Sequence, residues 1–338
     1  YLERFAADFE RESGNIALPD MAPANGIKVA VVGSGPSGLS FAGDMAKKGF
    51  DVYVFEALHE IGGVLKYGIP EFRLPNRIVD VEIENLRKMG VHFQTDCIIG
   101  KTISVEELEA MGFKGIFVGS GAGLPNFMNI PGENLINIMS SNEYLTRVNL
   151  MDAANPTTDT PMNIGKRVLV VGGGNTAMDS CRTAKRLGAE VTLVYRRSEA
   201  EVKHAKEEGI EFLTLHNPKE YIADEEGRVK AAVLDVMKLG EPDASGRCRP
   251  EVTGETVTID CDQVVVAVGV SPNPLVPNSI SGLELGRKNT IVVNDKMQSN
   301  RPELYAGGDI VRGGATVILA MGDGRRAAAN MAEQLLDK

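Results

Sequence analysis

The chain has 338 residues, room for two domains, and 43% of them are hydrophobic, enough to bury sizeable cores. Its net charge of −10 argues against a nucleic-acid partner, because phosphate backbones are bound by clustered Lys and Arg. No apolar run reaches the roughly 18 residues that a membrane span needs. The four cysteines include no CxxC pair, which argues against a metal site and favours a reduced, cytoplasmic setting.

The first half of the chain contains a unit that the second half repeats. Residues 1–26 predict a helix followed by a Pro-containing linker. Residues 27–56 then read as an apolar strand, a glycine cluster, a helix and a second strand, and VLVVGGGNTAMDSCRTAKRLGAEVTLVYRR, residues 168–197, repeats this order. Because such βαβ units are typical of dinucleotide-binding proteins, the two copies predict an α/β chain with two Rossmann-like domains.

Each glycine cluster offers three positions with separate roles. Gly33 is expected to form the tight turn, Gly35 to let the backbone approach a pyrophosphate, and Gly38 to let helix and strand pack closely. The second copy has the same roles at Gly172, Gly174 and Ala177. The helix N-terminus that follows offers N–H groups and a partial positive charge to phosphates. Further candidates at the two helix starts are Pro36, Ser37, Asn175 and Thr176.

The two copies end in opposite charges. Glu56 closes the first copy, and Arg196 with Arg197 closes the second. A carboxylate accepts hydrogen bonds from the free hydroxyls of an adenosine ribose and repels a 2′-phosphate. Arginines hold that phosphate by charge-assisted hydrogen bonds of about 1.5–3 kcal/mol each. We therefore expect the first site to take FAD or NAD and the second to prefer NADP(H).

The remaining segments indicate the domain borders. Residues 62–75 predict a Gly- and Pro-containing loop, residues 77–90 a helix, and VHFQTDCII and GIFVGSGA two strands. The polar residues 151–165 are interpreted as a crossing to a second domain, which has later strands and turns at Glu226–Gly227 and Ser245–Gly246. The expected domains are a linker at 1–26, a first domain at 27–160 and 270–338, and a second domain at 161–269.

Several longer motifs carry a family resemblance. They are GGVLKYGIPEFRLP, GLPNFMNIPGENL, GGGNTAMD with VYRR, and YAGGDIVRGGATVILAMGDGRRAA. Together they resemble the small (beta) subunit of NADPH-dependent glutamate synthase. They are equally similar to the related large subunit of NADH-dependent reduced ferredoxin:NADP oxidoreductase, also seen as sulfide dehydrogenase. The likeness runs almost end to end and implies a pyridine nucleotide-disulfide reductase-like fold, with FAD in the first domain and NADP(H) in the interrupting second domain.

The resemblance also implies roles for single residues. Asp309, in LYAGGDIV, is expected at the ribitol or pyrophosphate of FAD. The last helix, beginning near Ala315, Thr316 and Val317, is expected to direct its N-terminus at the negative charge of reduced flavin. The loop over 62–75 is expected to pass the isoalloxazine ring. Further cofactor-binding candidates are Gly62, Gly63, Leu65, Arg73, Gly121, Gly269 and Gly308.

Two departures from the family pattern accompany the resemblance. Family members start with a cysteine-rich domain that binds two 4Fe–4S clusters. This chain lacks those cysteines, so we expect iron–sulfur clusters only on a domain missing from it. Relatives also carry several more residues after the YRRSEAE segment, which puts the junction at Glu201–Val202 in doubt. The implied activity is hydride transfer between NADP(H) and FAD, with electrons passed through iron–sulfur centres to a larger catalytic or electron-accepting subunit.

Three other functions compete with this reading. A disulfide reductase shares the two-domain plan but needs a dithiol at the flavin, and Cys181 is expected to be a packing residue. A flavin monooxygenase also pairs FAD with NADPH, but its characteristic FxGxxxHxxx[FY]-like segment is absent. A non-catalytic, nucleotide-stabilised assembly subunit stays open as an alternative of another class.

Overall fold

The computed structural model describes residues 1–14, 16–198, 207–242 and 248–337, and the chain forms two compact units. Unit 1 comprises Tyr1–Gly62, Arg77–Gly121 and Pro274–Lys338, and unit 2 comprises Gly63–Asn76 and Ala122–Asn273. Within the described ranges, no helix combines the length and apolar character required to cross a membrane.

Strands and helices alternate in both copies of the βαβ unit. The strands are β1 Lys28–Val32, β2 Asp51–Phe55, β3 His92–Gln94, β4 Phe113–Val118, β5 Leu124–Pro125, β6 Ile138–Ser140, β7 Arg167–Val171, β8 Glu190–Tyr195, β9 Glu211–Thr214, β10 His216–Ala223, β11 Val229–Pro242, β12 Cys248–Asp260, β13 Gln263–Val266, β14 Val270–Ser271 and β15 Leu304–Ala306. The helices are α1 Leu2–Ser13, α2 Pro36–Lys47, α3 Val64–Tyr67, α4 Asn76–Lys88, α5 Val105–Ala110, α6 Ser141–Leu145, α7 Asn175–Arg186, α8 Leu275–Ser279, α9 Asp309–Arg312 and α10 Val317–Leu336. A π-helical turn follows α6 at Thr146–Leu150, and a 3-10 turn lies at Arg287–Asn289.

Unit 1 is built on a parallel five-stranded sheet in the order β15-β4-β1-β2-β3. Strand β1 is buried on both faces because its side chains alternate. Val29 and Val31 pack with α2 and α10, whereas Ala30 and Val32 pack with α5 and α8 on the opposite face. A sheet covered by helices on both faces is the doubly wound arrangement that the sequence predicts.

Unit 2 contains a second parallel five-stranded sheet in the order β6-β13-β7-β8-β9. In β7, Val168 and Val170 face α6 and α7. Leu169 and Val171 face the opposite way, toward a three-stranded antiparallel sheet in the order β10-β11-β12. The antiparallel sheet thus covers the face that a second helical layer covers in unit 1. Strands β5 and β14 form a separate antiparallel pair.

The borders of the compact units differ from the expected domain borders. Residues 122–160, expected in the first domain, belong to unit 2, because β6 pairs with β13 in the second sheet. Residues 63–76 also belong to unit 2, although unit 1 segments flank them on both sides. Pairing between distant strands, rather than local composition, sets these borders.

Most of the predicted elements are present. Helices α1 and α4 and the turn at Glu226–Gly227 occur where the sequence predicts them. The stretch VHFQTDCII was expected to be a strand throughout, but only His92–Gln94 is one; Asp96, with φ of +55°, interrupts the extended backbone. The predicted turn at Ser245–Gly246 and the junction at Glu201–Val202 lie outside the described residues.

Candidate functional site

The glycine turn after β1 forms the first cradle, which lies in unit 1. Gly33 has φ of +97°, and a Cβ there would lie 2.7 Å from the carbonyl oxygen of Gly119. A Cβ on Gly38 would lie 2.0 Å from the carbonyl oxygen of Gly33. These positions provide the tight turn and the close helix packing. Gly35 differs, because no described atom lies within 4 Å of the place its Cβ would take. The space in front of Gly35 is therefore open to a ligand.

Helix α2 presents its N-terminus to this space. Gly35 is the N-cap, Pro36 takes the first helical position, and no described side chain caps the helix. The first-turn N–H groups and the helix dipole therefore suit an anionic ligand. Ser37 lies in the same turn, where its hydroxyl donates a hydrogen bond to the carbonyl oxygen of Gly307 at 3.2 Å. This hydrogen bond links the first turn of α2 to the backbone at Gly307.

Glu56 follows β2 and is 6% exposed. Its Oε2 accepts hydrogen bonds from the N–H of Ser34 at 2.9 Å and from the Ser34 hydroxyl at 2.5 Å. Its Oε1 accepts a hydrogen bond from the N–H of Leu58 at 2.9 Å. A carboxylate has about four acceptor positions, and protein donors fill about three of them here. Glu56 fixes the glycine turn, and about one of its acceptor positions has no donor among the described residues.

Unit 1 also fits a large and partly apolar cofactor. The Ser120 hydroxyl is buried without a hydrogen-bond partner in the described chain, and the Ser120 Cα would lie 3.1 Å from a Cβ on Gly33. A buried polar atom beside the cradle is satisfied when a ligand supplies its partner. Next to it, Gly121 has open space at its Cβ position. Ile318 and Leu319, in the first turn of α10, are 73% and 47% exposed and offer an apolar surface.

The N-terminus of the last helix lies where the sequence predicts it. Thr316 is the N-cap of α10, its hydroxyl accepts a hydrogen bond from the Leu319 N–H at 3.4 Å, and Val317 is the first helical residue. Directly before it, the Ala315 N–H donates to Oδ1 of Asp309 at 3.0 Å. Burial raises the pKa of the Asp309 carboxyl, and the bond from Ala315 opposes that rise.

Two further predicted glycines hold their positions through hydrogen bonds to side chains. The Gly62 N–H donates to the Ser34 hydroxyl at 3.0 Å. The Gly308 N–H donates to Oδ2 of Asp323 at 3.1 Å. Asp323 is 1% exposed, and Arg312 neutralises it through two hydrogen bonds of 2.6 Å each. These bonds tie the start of α9 to the long helix α10.

The glycine turn after β7 forms the second cradle, which lies in unit 2. Gly172 has φ of +137°, and a Cβ there would lie 2.3 Å from the carbonyl oxygen of Ala267. Gly174 is the N-cap of α7, no described side chain caps that helix, and the space at its Cβ position is open. Ala177 is fully buried against the core. The exposed residues that open the helix are Asn175 and Thr176.

A cavity of about 690 Å³ lies at the carboxyl ends of the parallel strands of unit 2. Its lining includes Gly172, Gly174, Thr176, Tyr195, Arg196 and Gly269. Ligands of open α/β sheets bind at this edge, and the volume is in the range of cofactor sites. The second cradle is therefore one wall of a cavity large enough for part of a dinucleotide.

Arg196 and Arg197 differ in their position relative to the cavity. Both are exposed and follow β8, but among the described residues the cavity lining includes Arg196 and not Arg197. The Arg197 carbonyl oxygen accepts a hydrogen bond from the Leu215 N–H at 3.2 Å. Arg196 is thus the arginine that the structure brings to the cradle, and Arg197 joins the end of β8 to the end of β9.

Of the loop expected to pass the flavin ring, Gly62 belongs to unit 1 and the residues from Gly63 onward belong to unit 2. Gly63 and Leu65 lie at the start of the short helix α3. Nη1 of Arg73 forms an ion pair with the carboxylate of Asp179 on α7. Contact of these residues with flavin stays a prediction, and the Arg73 guanidinium already has a protein partner.

Several residues of both cradles were not predicted from the sequence. Ser120 and His216 were not singled out by any motif, and Tyr195 lies in the VYRR motif but was not named as a site residue. Cys181 is fully buried in the core of unit 2, and burial raises the pKa of its thiol. The described residues hold no group of three or more His, Cys, Asp or Glu side chains placed to bind a metal ion.

Comparison with known proteins agrees with this architecture. Residues 27–324 match the pyridine nucleotide-disulphide oxidoreductase family. The structure of Mycobacterium tuberculosis FprA in complex with NADPH superposes with a TM-score of 0.75 at 20% sequence identity, covering 93% of this chain and 85% of that one. At that identity the likeness establishes the fold.

Relatives in sequence include subunits of oxidoreductases. The chain is 36% identical to the NADP(+)-dependent formate dehydrogenase subunit beta of Moorella thermoacetica, over 99% of this chain and 50% of that subunit. It is 35% identical to the glutamate synthase [NADPH] small chain of Azospirillum brasilense, over 97% of this chain and 70% of that one. The chain thus spans about half the length of the first relative and over two thirds of the second. It belongs to the pyridine nucleotide-disulphide oxidoreductase family and, within it, to the group of glutamate synthase small chains and related oxidoreductase subunits.

Proposed function

We propose that this chain is an FAD-dependent NADPH oxidoreductase module that moves a hydride between NADP(H) and FAD and passes electrons toward the iron–sulfur centres of a glutamate synthase-type complex. Its family membership supports the enzyme class. The observation that carries the proposal is the contrast between the two cradles. A buried carboxylate, Glu56, closes the first, and a guanidinium, Arg196, lines the second.

The contrast assigns the cofactors to the cradles. Unit 1 offers an uncapped helix N-terminus for a pyrophosphate, Glu56 for a ribose hydroxyl, and an exposed apolar first turn of α10 for a ring system. Unit 2 offers the N-terminus of α7 for a pyrophosphate and Arg196 for a 2′-phosphate. We therefore assign FAD to unit 1 and NADP(H) to unit 2, with domain roles as the sequence predicts and borders as the structure has them.

FAD supplies two-electron hydride acceptance and one-electron release, and the protein supplies binding and electrostatics. The N-terminal N–H groups of α10 favour negative charge on a ring beside them. The Asp309–Ala315 hydrogen bond and the Arg312–Asp323 pair hold the backbone that leads into that helix. None of these residues has to donate or accept a proton for the electron transfer to proceed.

The partner is inferred from the relatives, which are subunits of larger enzymes. We infer a larger catalytic or electron-accepting subunit, with iron–sulfur clusters between it and the flavin. A cytoplasmic location agrees with the four unpaired cysteines. Identification of the companion chain that co-purifies from the source cell separates a glutamate synthase from a formate dehydrogenase or a ferredoxin:NADP oxidoreductase.

Anaerobic reduction tests the proposed activity. The purified chain, supplied with FAD, is expected to show the visible absorbance of bound flavin and to lose it when NADPH is added without oxygen. The same amount of NADH is expected to bleach the flavin more slowly. A chain that binds FAD but is not bleached by either nucleotide contradicts the proposal and supports a non-catalytic assembly subunit.

Replacement of the arginines tests the nucleotide assignment. Arg196→Gln is expected to weaken NADPH binding about 10- to 100-fold, because it removes a charge-assisted hydrogen bond of about 1.5–3 kcal/mol, with little change for NADH. Arg197→Gln is expected to have the smaller effect, since only Arg196 lines the cavity. Arg228→Gln, in the same unit but outside the cavity lining, is the control. Equal losses for NADPH and NADH at Arg196 contradict the 2′-phosphate assignment.

A further inference from the structure

The carboxyl ends of β8 and β9 lie side by side beside the second cradle. The strands pair in parallel with Tyr195 opposite Thr214, and the Leu215 N–H donates to the Arg197 carbonyl oxygen at 3.2 Å. In a dinucleotide-binding βαβ unit, the end of the second strand meets the adenosine ribose. Among the described residues, those that follow β9 therefore lie next to the strand end that meets this ribose.

His216 occupies this place and lines the same cavity as Arg196. The ring is half-buried, and its Nδ1 lies 2.7 Å from the carbonyl oxygen of Thr214. Because a carbonyl oxygen only accepts hydrogen bonds, Nδ1 carries the hydrogen in this contact. Nε2 is then the nitrogen left for a ligand, and it donates a hydrogen bond only when the ring is protonated.

The backbone directly before His216 is strained. Leu215 has φ of +56°, a left-handed conformation that is uncommon for a bulky residue that is not glycine. Two backbone hydrogen bonds hold it there, its own N–H to Arg197 and the Met237 N–H to its carbonyl oxygen at 2.7 Å. Leu215 is the one residue between β9 and β10, and His216, the next residue, lines the cavity.

We propose that His216 is a specificity-determining residue that contacts the 2′-phosphate of NADP(H) together with Arg196, binding it in the protonated form. The proposal rests on the assignment of NADP(H) to unit 2. Among the described residues, the titratable and charged groups of the cavity lining are Tyr195, Arg196 and His216. His216 is the first residue of β10. Lys219 on the same strand and Asp235 on the adjacent strand β11 form an ion pair at 3.6 Å. A phosphate dianion beside the ring favours the protonated form.

Two nucleotides that differ only at the 2′ position test the proposal. The measured quantity is the preference, the Kd of 5′-AMP divided by the Kd of 2′,5′-ADP, determined calorimetrically on the full chain. His216→Gln is expected to lower the preference about 10-fold by weakening 2′,5′-ADP alone, because one charge-assisted hydrogen bond is lost. His92→Gln, a matched histidine of unit 1 outside the cavity, is expected to leave the preference unchanged.

A third variant separates the charge from a structural role. His216→Lys carries its charge throughout the range from about pH 6 to pH 8, in which histidine ordinarily titrates. The wild-type preference is expected to fall more across that range than the preference of His216→Lys, since titration of the phosphate itself is common to both. An equal loss of both nucleotides in His216→Gln, or equal pH slopes, overturns the proposal.

The outcomes also separate this proposal from the proposed function. A wild-type chain without any preference for 2′,5′-ADP contradicts the NADP(H) assignment itself. A wild-type preference that Arg196→Gln abolishes and His216→Gln leaves intact contradicts only the role of His216. Unfolding midpoints of each variant without nucleotide show whether a loss of binding comes from a loss of fold.

Discussion

At the scale of single residues, glycines with the same sequence signature have different physical reasons to be glycine. Gly38 is required by contact, since a Cβ would lie 2.0 Å from a backbone oxygen that cannot move away freely. No contact among the described residues requires glycine at position 35, because the place of its Cβ is open. We propose that a ligand approaches the cradle at Gly35.

Replacement of each glycine by alanine separates these reasons. Gly38→Ala is expected to destabilise unit 1 by about 3 kcal/mol or more through overpacking. Gly35→Ala is expected to change the unfolding free energy by less than about 1 kcal/mol and to weaken FAD binding at least about 10-fold. Chemical denaturation without cofactor and titration with FAD measure the two effects. Normal FAD affinity in a folded Gly35→Ala variant would show that the cofactor does not approach this glycine.

The residue scale also marks the limit of sequence motifs. The turn and packing roles of Gly33 and Gly38 are readable because they depend on neighbours a few positions away. The difference between Arg196 and Arg197 is not readable, since it depends on which side chain lines a cavity. Ser120 is missed for the same reason, because its buried, unpartnered hydroxyl is a property of the folded unit.

At the scale of elements, the segment Gly63–Asn76 belongs to unit 2, although the segments before and after it in the sequence belong to unit 1. Contacts with α7 explain the difference. Arg73 pairs with Asp179, and the ring of Phe72 lies 4.7 Å and 3.9 Å from the guanidinium carbons of Arg182 and Arg186. The segment is thus anchored to the helix whose N-terminus forms the second cradle.

The ion pair between Arg73 and Asp179 predicts that the free energy of unfolding depends on pH. Burial raises the pKa of Asp179, and Arg73 opposes the rise, so Arg73→Gln is expected to raise this pKa further. A buried carboxyl with a raised pKa holds its proton to higher pH in the folded chain than in the unfolded chain. The unfolding free energy therefore falls as pH rises above 3.8, the ordinary value, through the raised one. We expect a loss of about 1–3 kcal/mol near neutral pH that disappears in acid.

Denaturant unfolding at several pH values measures this effect. Arg228→Gln is the matched control, because its ion pair with Glu226 is more than half exposed on both sides and contributes at most about 1 kcal/mol. An Arg73→Gln variant whose loss is the same at acid and neutral pH would show that the ion pair does not govern the charge of Asp179.

At the scale of the whole molecule, each unit has its own sheet, its own cores and its own cradle. The helical layers of unit 1 and the antiparallel sheet of unit 2 are different ways to cover a parallel sheet. The two cradles nevertheless use the same local device, an open glycine at an uncapped helix N-terminus. The cradles differ in the charged residue that follows the second strand of each βαβ unit, which is Glu56 after β2 and Arg196 after β8.

Hydrogen exchange with each ligand alone tests this division. At about 100 times its Kd, a ligand stabilises the unit that binds it by about 2.7 kcal/mol. We expect 2′,5′-ADP to slow exchange in residues 167–176, 194–197 and 214–217, and FAD to slow it in residues 28–38, 56–62 and 308–319. Protection of one and the same set of peptides by both ligands would contradict two separate cradles.

The sequence by itself determined the two βαβ units, the uncapped helix starts and the opposite charges after β2 and β8. Each of these features is local, because strand, turn and helix are specified within about 25 to 30 consecutive residues. Local signals of this kind need no knowledge of the rest of the chain.

Only the tertiary structure decided where the units divide and which distant residues complete each cradle. The pairing of β6 with β13 joins residues 122–160 to unit 2, and the pairing of β8 with β9 brings His216 to the cavity that Arg196 lines. Neither pairing is encoded by a nearby turn. Both depend on the burial of whole sheets, which is a property of the complete chain.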